Sequence, residues 1–116
     1  MSLVHVVVTV LTIAANAGVA IADFARAGFV LANSAAVGVP RSWIPMLGAL
    51  KAAGAAGLSL GLLGVPLVGV AAAAGLVLFF TGAVVAHVRT RVYGTIAVPA
   101  GFLGLAVASL VLGVAR

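Results

Sequence analysis

Four long apolar segments alternate with short polar stretches along this 116-residue chain. The segments cover residues 3–22, 43–63, 66–86 and 95–115, and only Lys51 carries a full charge inside any of them. Each is about 20 residues long, which is the length an α-helix needs to cross a hydrocarbon layer of about 30 Å. The pattern therefore predicts an all-α membrane protein, a single domain over residues 1–116 built as a four-transmembrane-helix bundle.

The stretches between these segments differ in character. Residues 23–42 are too apolar for a free loop and too short for another span. They predict either a continuation of the first helix or an interfacial helix that lies at the membrane surface. Gly64 and Val65 join the second and third segments, and Pro66 suits the first position of a helix because its missing N–H has no partner to lose there. This short link predicts an antiparallel helical hairpin.

Composition and charge narrow the class of protein. Hydrophobic residues make up 66% of the chain, and mean hydropathy is +1.43. The absence of cysteine excludes disulfides and thiolate metal sites. The net charge of +5 does not indicate nucleic acid, because the arginines stand at the ends of the apolar segments, where basic residues anchor helices to phospholipid headgroups. These arginines are Arg26, Arg41, Arg89, Arg91 and Arg116.

Orientation follows from the same arginines. The connections at 23–42 and 87–94 share one side of a four-span bundle and hold four of the five arginines. The positive-inside rule then predicts that both connections face the cytoplasm and that both termini lie outside the cell (inner or plasma) membrane. Membrane lipids are the expected surroundings, and no nucleic-acid partner is expected.

A polar stripe runs along the first segment. His5, Thr9, Thr12, Asn16 and Asp23 follow steps of four, three, four and seven residues, which place them on one helix face. A single Thr or Asn in a membrane helix usually bonds its own backbone or a neighbouring helix. A stripe of five members favours a face turned toward the bundle interior, with a small polar cavity as the sharper hypothesis.

Small residues at four-residue spacing form a second pattern, typical of surfaces on which membrane helices pack closely. We expect them to hold the four helices together, while a homodimer face stays the alternative. The stripes are Ala14, Gly18 and Ala22 in the first segment, Ala49, Ala53, Gly57 and Gly61 in the second, and Ala100, Gly104 and Ala108 in the fourth.

Lys51 lies eight residues beyond Trp43, about 12 Å along a helix. An unpaired ammonium near mid-span costs about 2.5–3.5 kcal/mol on insertion scales, so a compensating partner is expected. Asp23, the only acid in the chain, is the preferred partner. Snorkelling toward the basic side and a role in ligand binding or proton transfer are the two alternatives.

His87 closes the third segment, where a histidine serves as an interfacial residue or as a ligand. His5 stands at the opposite side of the predicted bundle, so two histidines and one acid do not build a usual metal site. Paired carboxylates, a Ser-His-Asp arrangement and a glycine-rich phosphate loop are all missing from the sequence. We therefore predict no catalytic residue and no metal.

Several short motifs resemble the DoxX-like family of membrane proteins, over roughly residues 40–113. The motifs are IPMLGALK at 44–51, GLSLG at 57–61, AAAGL at 72–76 and GAVVAHVR at 82–89. The resemblance implies a four-helix membrane bundle, similar in outline to vitamin K epoxide reductase-like folds. Members of the family include a membrane subunit of thiosulfate:quinone oxidoreductase, a membrane partner in redox stress defence and, in animals, a chaperone for nicotinic receptors.

The resemblance also bears on the charged pair. The family often has a basic residue at the end of the first span and a glutamate at the position of Lys51. Asp23 and Lys51 resemble that pair with its charges exchanged, which implies that neutrality of the pair is what the site needs.

Two hypotheses for function follow. The first is a small accessory, scaffold or chaperone-like membrane protein that docks partners, as a homo-oligomer or in a membrane complex. The second is a membrane-embedded pocket for a quinone, a sterol-like lipid or an isoprenoid, as in a redox-complex subunit, with Asn16, Asp23, Lys51 and His87 as its polar floor. Absent redox residues and scarce acid–base groups favour the first hypothesis. No cofactor is therefore predicted, and a quinone is the alternative that the second hypothesis allows. An ion channel ranks last, because the third and fourth segments offer few polar residues.

Overall fold

A computed structural model of the chain describes residues 2–115; Met1 and Arg116, the last of the predicted anchoring arginines, lie outside the described residues. Four helices are long and apolar enough to cross a membrane: α1, α3 together with the 3-10 turn before it, α4 and α5. The fold predicted from the sequence is therefore confirmed. The elements are α1 (Leu3–Phe24), α2 (Gly28–Ala36), a 3-10 turn (Arg41–Trp43), α3 (Ile44–Leu62), α4 (Pro66–Arg89) and α5 (Ala97–Ala115).

The four long helices form a closed ring. α1 packs against α3 and α5, and α4 packs against the same two helices from the other side. The hydrophobic core lies where α3, α4 and α5 meet, and it is built from Leu58, Ala73, Leu76, Phe80 and Ala106. Since each helix has two neighbours, every long helix also presents one face to the outside of the ring.

The helix ends share one turn motif. After α1, the N–H of Ala27 bonds the carbonyl of Ala22 and the N–H of Arg26 bonds that of Asp23, with Arg26 at a φ of 52°. This pair of hydrogen bonds is the Schellman motif, which places one residue in the left-handed conformation. The turn separates α2 from α1, so the 23–42 connection contains a helix of its own, as the interfacial-helix alternative predicts, and does not continue the first helix.

Only part of the small-residue prediction is confirmed. Gly57 and Gly61 pack inside the ring, whereas Gly18 on α1 and Gly104 on α5 are exposed, with nothing near the position of a side chain. For α1 the reason is geometric. Helix positions advance about 100° per residue, so the small-residue stripe lies opposite the polar stripe. Burying polar side chains away from lipid decides which face turns inward, and the small residues are left outside.

Candidate functional site

Asp23 and Lys51 form an ion pair between α1 and α3. Lys51 Nζ donates to Asp23 Oδ2 at 2.9 Å, and the two side chains are 12% and 4% exposed. The pairing predicted from the sequence is confirmed. Because both charges are withdrawn from water, each depends on the other: removal of one partner from a buried pair typically costs about 3–5 kcal/mol.

Two neighbours shape this pair. Gly48 lies one turn before Lys51 on α3, and a methyl group there would sit 2.9 Å from the Cβ of Asp23. A glycine is thus what lets α1 approach closely enough for the carboxylate to meet the ammonium. On the other side, Lys51 Nζ lies 5.3 Å from the centre of the Phe79 ring. A cation at this distance from an aromatic face gains further stabilisation.

His87 belongs to a second polar cluster, at the end of the bundle covered by α2. Its Nε2 lies 3.3 Å from Asn33 Oδ1, and the Thr95 hydroxyl donates to the same oxygen at 2.9 Å. These contacts tie α2 to α4 and to the connection that precedes α5. The cluster therefore joins α2, α4 and the connection before α5 at this end of the bundle.

The bonds of His87 exclude the neutral tautomer that lacks a proton on Nδ1. Nδ1 lies 2.8 Å from the Ala83 carbonyl, which can only accept, so Nδ1 carries a proton. A neutral ring then has a bare Nε2, which pairs with Asn33 only if the side-chain amide turns its NH₂ group toward the ring. An imidazolium ring donates to Oδ1 instead. Two protonation states thus fit the same side-chain positions, each with its own orientation of the amide.

A third cluster joins α1 to α5. Thr12 and Ser109 share a hydrogen bond of 2.8 Å, and Thr12 also donates to the Val8 carbonyl at 2.8 Å. Asn16 donates to the Thr12 carbonyl at 2.9 Å, while its Oδ1 is buried without a hydrogen-bond partner among residues 2–115. The interior placement predicted for the polar stripe of α1 is confirmed, since all five of its members are buried.

The structure does not bring the four candidate residues into one site. Asp23 and Lys51 meet, but Asn16 bonds within α1 and His87 lies in the α2 cluster. Gly48, Asn33 and Thr95 are partners of these side chains that were not predicted from the sequence. Asn33 carried a signal, because it and Asn16 are the only side-chain amides in the chain. Gly48 carried none that distinguishes it from the other glycines of α3.

A groove of about 500 Å³ lies between α3 and α4, and it opens on the outer surface of the ring. Exposed Leu50 and Leu78 stand at its edges, and Phe79 connects it to the ion pair. It is lined by Leu50, Ala53, Gly54, Ala72, Gly75, Leu76, Leu78 and Phe79. The groove is thus an apolar surface with a floor of small residues and carries no group suited to acid–base chemistry.

Similarity to known proteins supports the architecture. No curated protein and no solved structure matches the chain. The model of the DoxX-like family matches residues 7–109, which include all four of the membrane-spanning helices in large part. With a multi-pass helical bundle and a family match over most of its length, the chain belongs to the DoxX-like family.

Proposed function

We propose that this chain is a non-catalytic accessory module of the membrane, and that the groove between α3 and α4 receives a transmembrane helix of a partner membrane protein. The observation that carries the proposal is the groove itself, which is apolar, has a volume of about 500 Å³ and opens on the outer surface of the ring. Ala53, Gly54, Ala72 and Gly75 form its small-residue floor. Floors of this kind allow a second helix to approach closely, which is how membrane helices associate without a hydrophobic drive.

Gly75 supports a helix as the occupant. It lies in the middle of α4, is exposed, and has nothing within 4 Å of the position of a side chain. Glycine in a helix interior costs about 1 kcal/mol relative to alanine. Contacts within the chain do not offset this cost, whereas a helix backbone seated in the groove does. From Ala72 to Phe79 the groove follows about two helical turns, enough for one small-residue crossing.

The ligand-pocket alternative has less support. It predicts a polar floor made of Asn16, Asp23, Lys51 and His87. In the structure these side chains lie in three separate clusters. The space where α3, α4 and α5 meet is filled by core side chains such as Leu58 and Phe80. A quinone or sterol-like lipid would thus have to bind in the outer groove, where the described lining is apolar.

A groove-filling substitution tests the proposal. We expect Gly75→Leu to be tolerated, because nothing lies within 4 Å of the Cβ position, and its side chain should occupy the groove. Gly82→Leu is the matched control: it is an equally open glycine of α4 outside the groove. We expect native mass spectrometry of protein released from its own membrane to show a complex with a partner protein that Gly75→Leu abolishes and Gly82→Leu retains. A photocrosslinker at Leu78 should then attach to a transmembrane segment of that partner.

Two other results would overturn this proposal. A stoichiometric lipid or quinone adduct that Gly75→Leu removes would transfer the groove to the ligand alternative. A crosslink from Leu78 to a second copy of this chain would make the groove a homo-oligomer interface instead.

For orientation, we propose that the end of the bundle with the exposed Arg26, Arg89 and Arg91 faces the cytoplasm of the cell membrane, with both termini outside. The chain lacks cysteine, so single cysteines report without background. We expect a membrane-impermeant maleimide on intact cells to label Ala115→Cys and to spare Tyr93→Cys. Labelling of the second variant alone would reverse the orientation.

A further inference from the structure

Thr9 differs from the other hydroxyl residues of the membrane helices. Its side chain is 2% exposed, and Oγ1 has no hydrogen-bond partner among the described residues. Four other hydroxyls, those of Thr12, Ser59, Thr81 and Thr90, bond the carbonyl four residues earlier, and the Ser109 hydroxyl bonds Thr12. A buried hydroxyl without a partner is destabilising by about 1–3 kcal/mol, so a partner for Thr9 is expected.

Thr9 lines a small cavity. Its volume is about 10 Å³, and Thr9, Ser109 and His5 form the polar part of its wall. A volume of this size accommodates about one water molecule when two or more polar groups surround it. Gly61, Pro66 and Gly69 are among the other lining residues, which place the cavity at the end of the bundle where α1 begins and α3 turns into α4. This end lies close to the membrane surface, so bulk water has a short path to the cavity.

Ser109 is able to accept a hydrogen bond from the cavity. The Thr12 hydroxyl has one proton, and the Val8 carbonyl at 2.8 Å can only accept it. The proton in the 2.8 Å bond between Thr12 and Ser109 therefore comes from Ser109. Lone pairs on Ser109 Oγ stay available for a donor on its other side.

We propose that this cavity is a binding site for one structural water molecule, which accepts from the Thr9 hydroxyl and donates to Ser109 Oγ. The bonds then run in one direction, from Thr9 through the water to Ser109, Thr12 and the Val8 carbonyl. The water joins α1 to α5 through Thr9, about one helical turn from the direct bond between Thr12 and Ser109. It is part of the helix interface, and it satisfies a group that lipid cannot satisfy.

Water-edited solid-state NMR of the protein in lipid bilayers tests the site directly. We expect magnetisation from water to reach the Thr9 and Ser109 side chains several-fold faster than it reaches Ala106, which is fully buried in the apolar core. Transfer to Thr9 as slow as transfer to Ala106 would overturn the proposal.

Isosteric substitution gives an independent test, because the two possibilities predict opposite signs. If water binds, Thr9→Val removes a bonded hydroxyl, and the unfolding equilibrium constant rises about fivefold. If the hydroxyl has no partner, the valine relieves a buried polar group and the protein becomes more stable. Thr81→Val is the matched control, since Thr81 is exposed and bonds only its own helix, and it should change the constant less than twofold. A Thr9→Val variant at least as stable as the parent would overturn the proposal.

Discussion

The two sides of the helix ring are held together by different chemistry. α1 meets its neighbours through polar side chains, with the Asp23–Lys51 pair toward α3 and the Thr12–Ser109 bond toward α5. α3 meets α4 through small residues: a methyl group on Gly57 would lie 2.6 Å from the Cβ of Ala72. One bundle thus uses both of the means by which membrane helices associate.

The difference determines how each side fails. A polar contact depends on a partner, so the loss of one side chain leaves the other buried and unsatisfied, and removal of both is milder. A small-residue contact depends on distance, so added volume breaks it and a second deletion does not repair it. The polar side should therefore show rescue by double substitution, and the glycine side should not.

The largest effect is expected at the ion pair. Lys51→Met leaves Asp23 as an unpaired buried carboxylate, and we expect the free energy of unfolding to fall by about 3–5 kcal/mol. Asp23→Asn together with Lys51→Met removes both charges and should restore most of that loss. Unfolding of the parent protein and of these two variants in detergent, followed by circular dichroism, measures both steps.

The same double variant also separates a structural role of the Asp23–Lys51 pair from a role in binding. A double variant as unstable as Lys51→Met would mean that the charge of Lys51 serves something other than Asp23. A double variant that folds fully and still loses its partner complex would place the pair in docking as well as in folding.

A smaller loss is expected on the glycine side. A methyl group on Gly61 would lie 2.6 Å from the Cα of Gly69, so Gly61→Ala must push α3 and α4 apart. Overpacking of this kind typically costs about 1–3 kcal/mol. The control is Gly82→Ala, which meets open space and should stabilise α4 by up to about 1 kcal/mol. Thermal unfolding of both variants in one detergent gives the comparison.

The prediction requires Gly61→Ala to lower the stability of the protein and Gly82→Ala not to lower it. If Gly61→Ala is neutral, the two helices have room to move and close packing does not hold this side together. In that case the contrast between the two sides of the ring is lost.

Much of the fold could be predicted from the sequence, because lipid imposes strong rules. Segment length determined the four spans, and the spacing of His5 to Asp23 determined which face of α1 turns inward. The Asp23–Lys51 pair followed from the scarcity of charge, since the chain offers Lys51 one acid only.

The position of the small residues could not be predicted in the same way. Gly57 and Gly104 both belong to stripes of small residues at four-residue spacing, yet Gly57 is buried against α4 and Gly104 is exposed. A glycine gains nothing from either environment by itself, so its face is decided by the other residues of the helix. The Asn33–His87–Thr95 cluster was missed because α2 had no predicted position against the bundle.

The smallest effect is expected at the hydroxyl contact between α1 and α5, which tests how far the polar side of the ring depends on hydrogen bonds. Thr12→Val and Ser109→Ala each remove one partner of a 2.8 Å bond. Interhelical hydrogen bonds in membrane proteins average about 0.6 kcal/mol and reach about 1.7 kcal/mol, so we expect a coupling energy in that range from a double-mutant cycle. The matched pair is Thr12→Val with Thr81→Val, whose hydroxyls share no partner and should add within about 0.5 kcal/mol. Additive losses for Thr12 and Ser109 would mean that this bond contributes nothing to the contact between α1 and α5, and the contrast between the two sides of the ring would then depend chiefly on the ion pair.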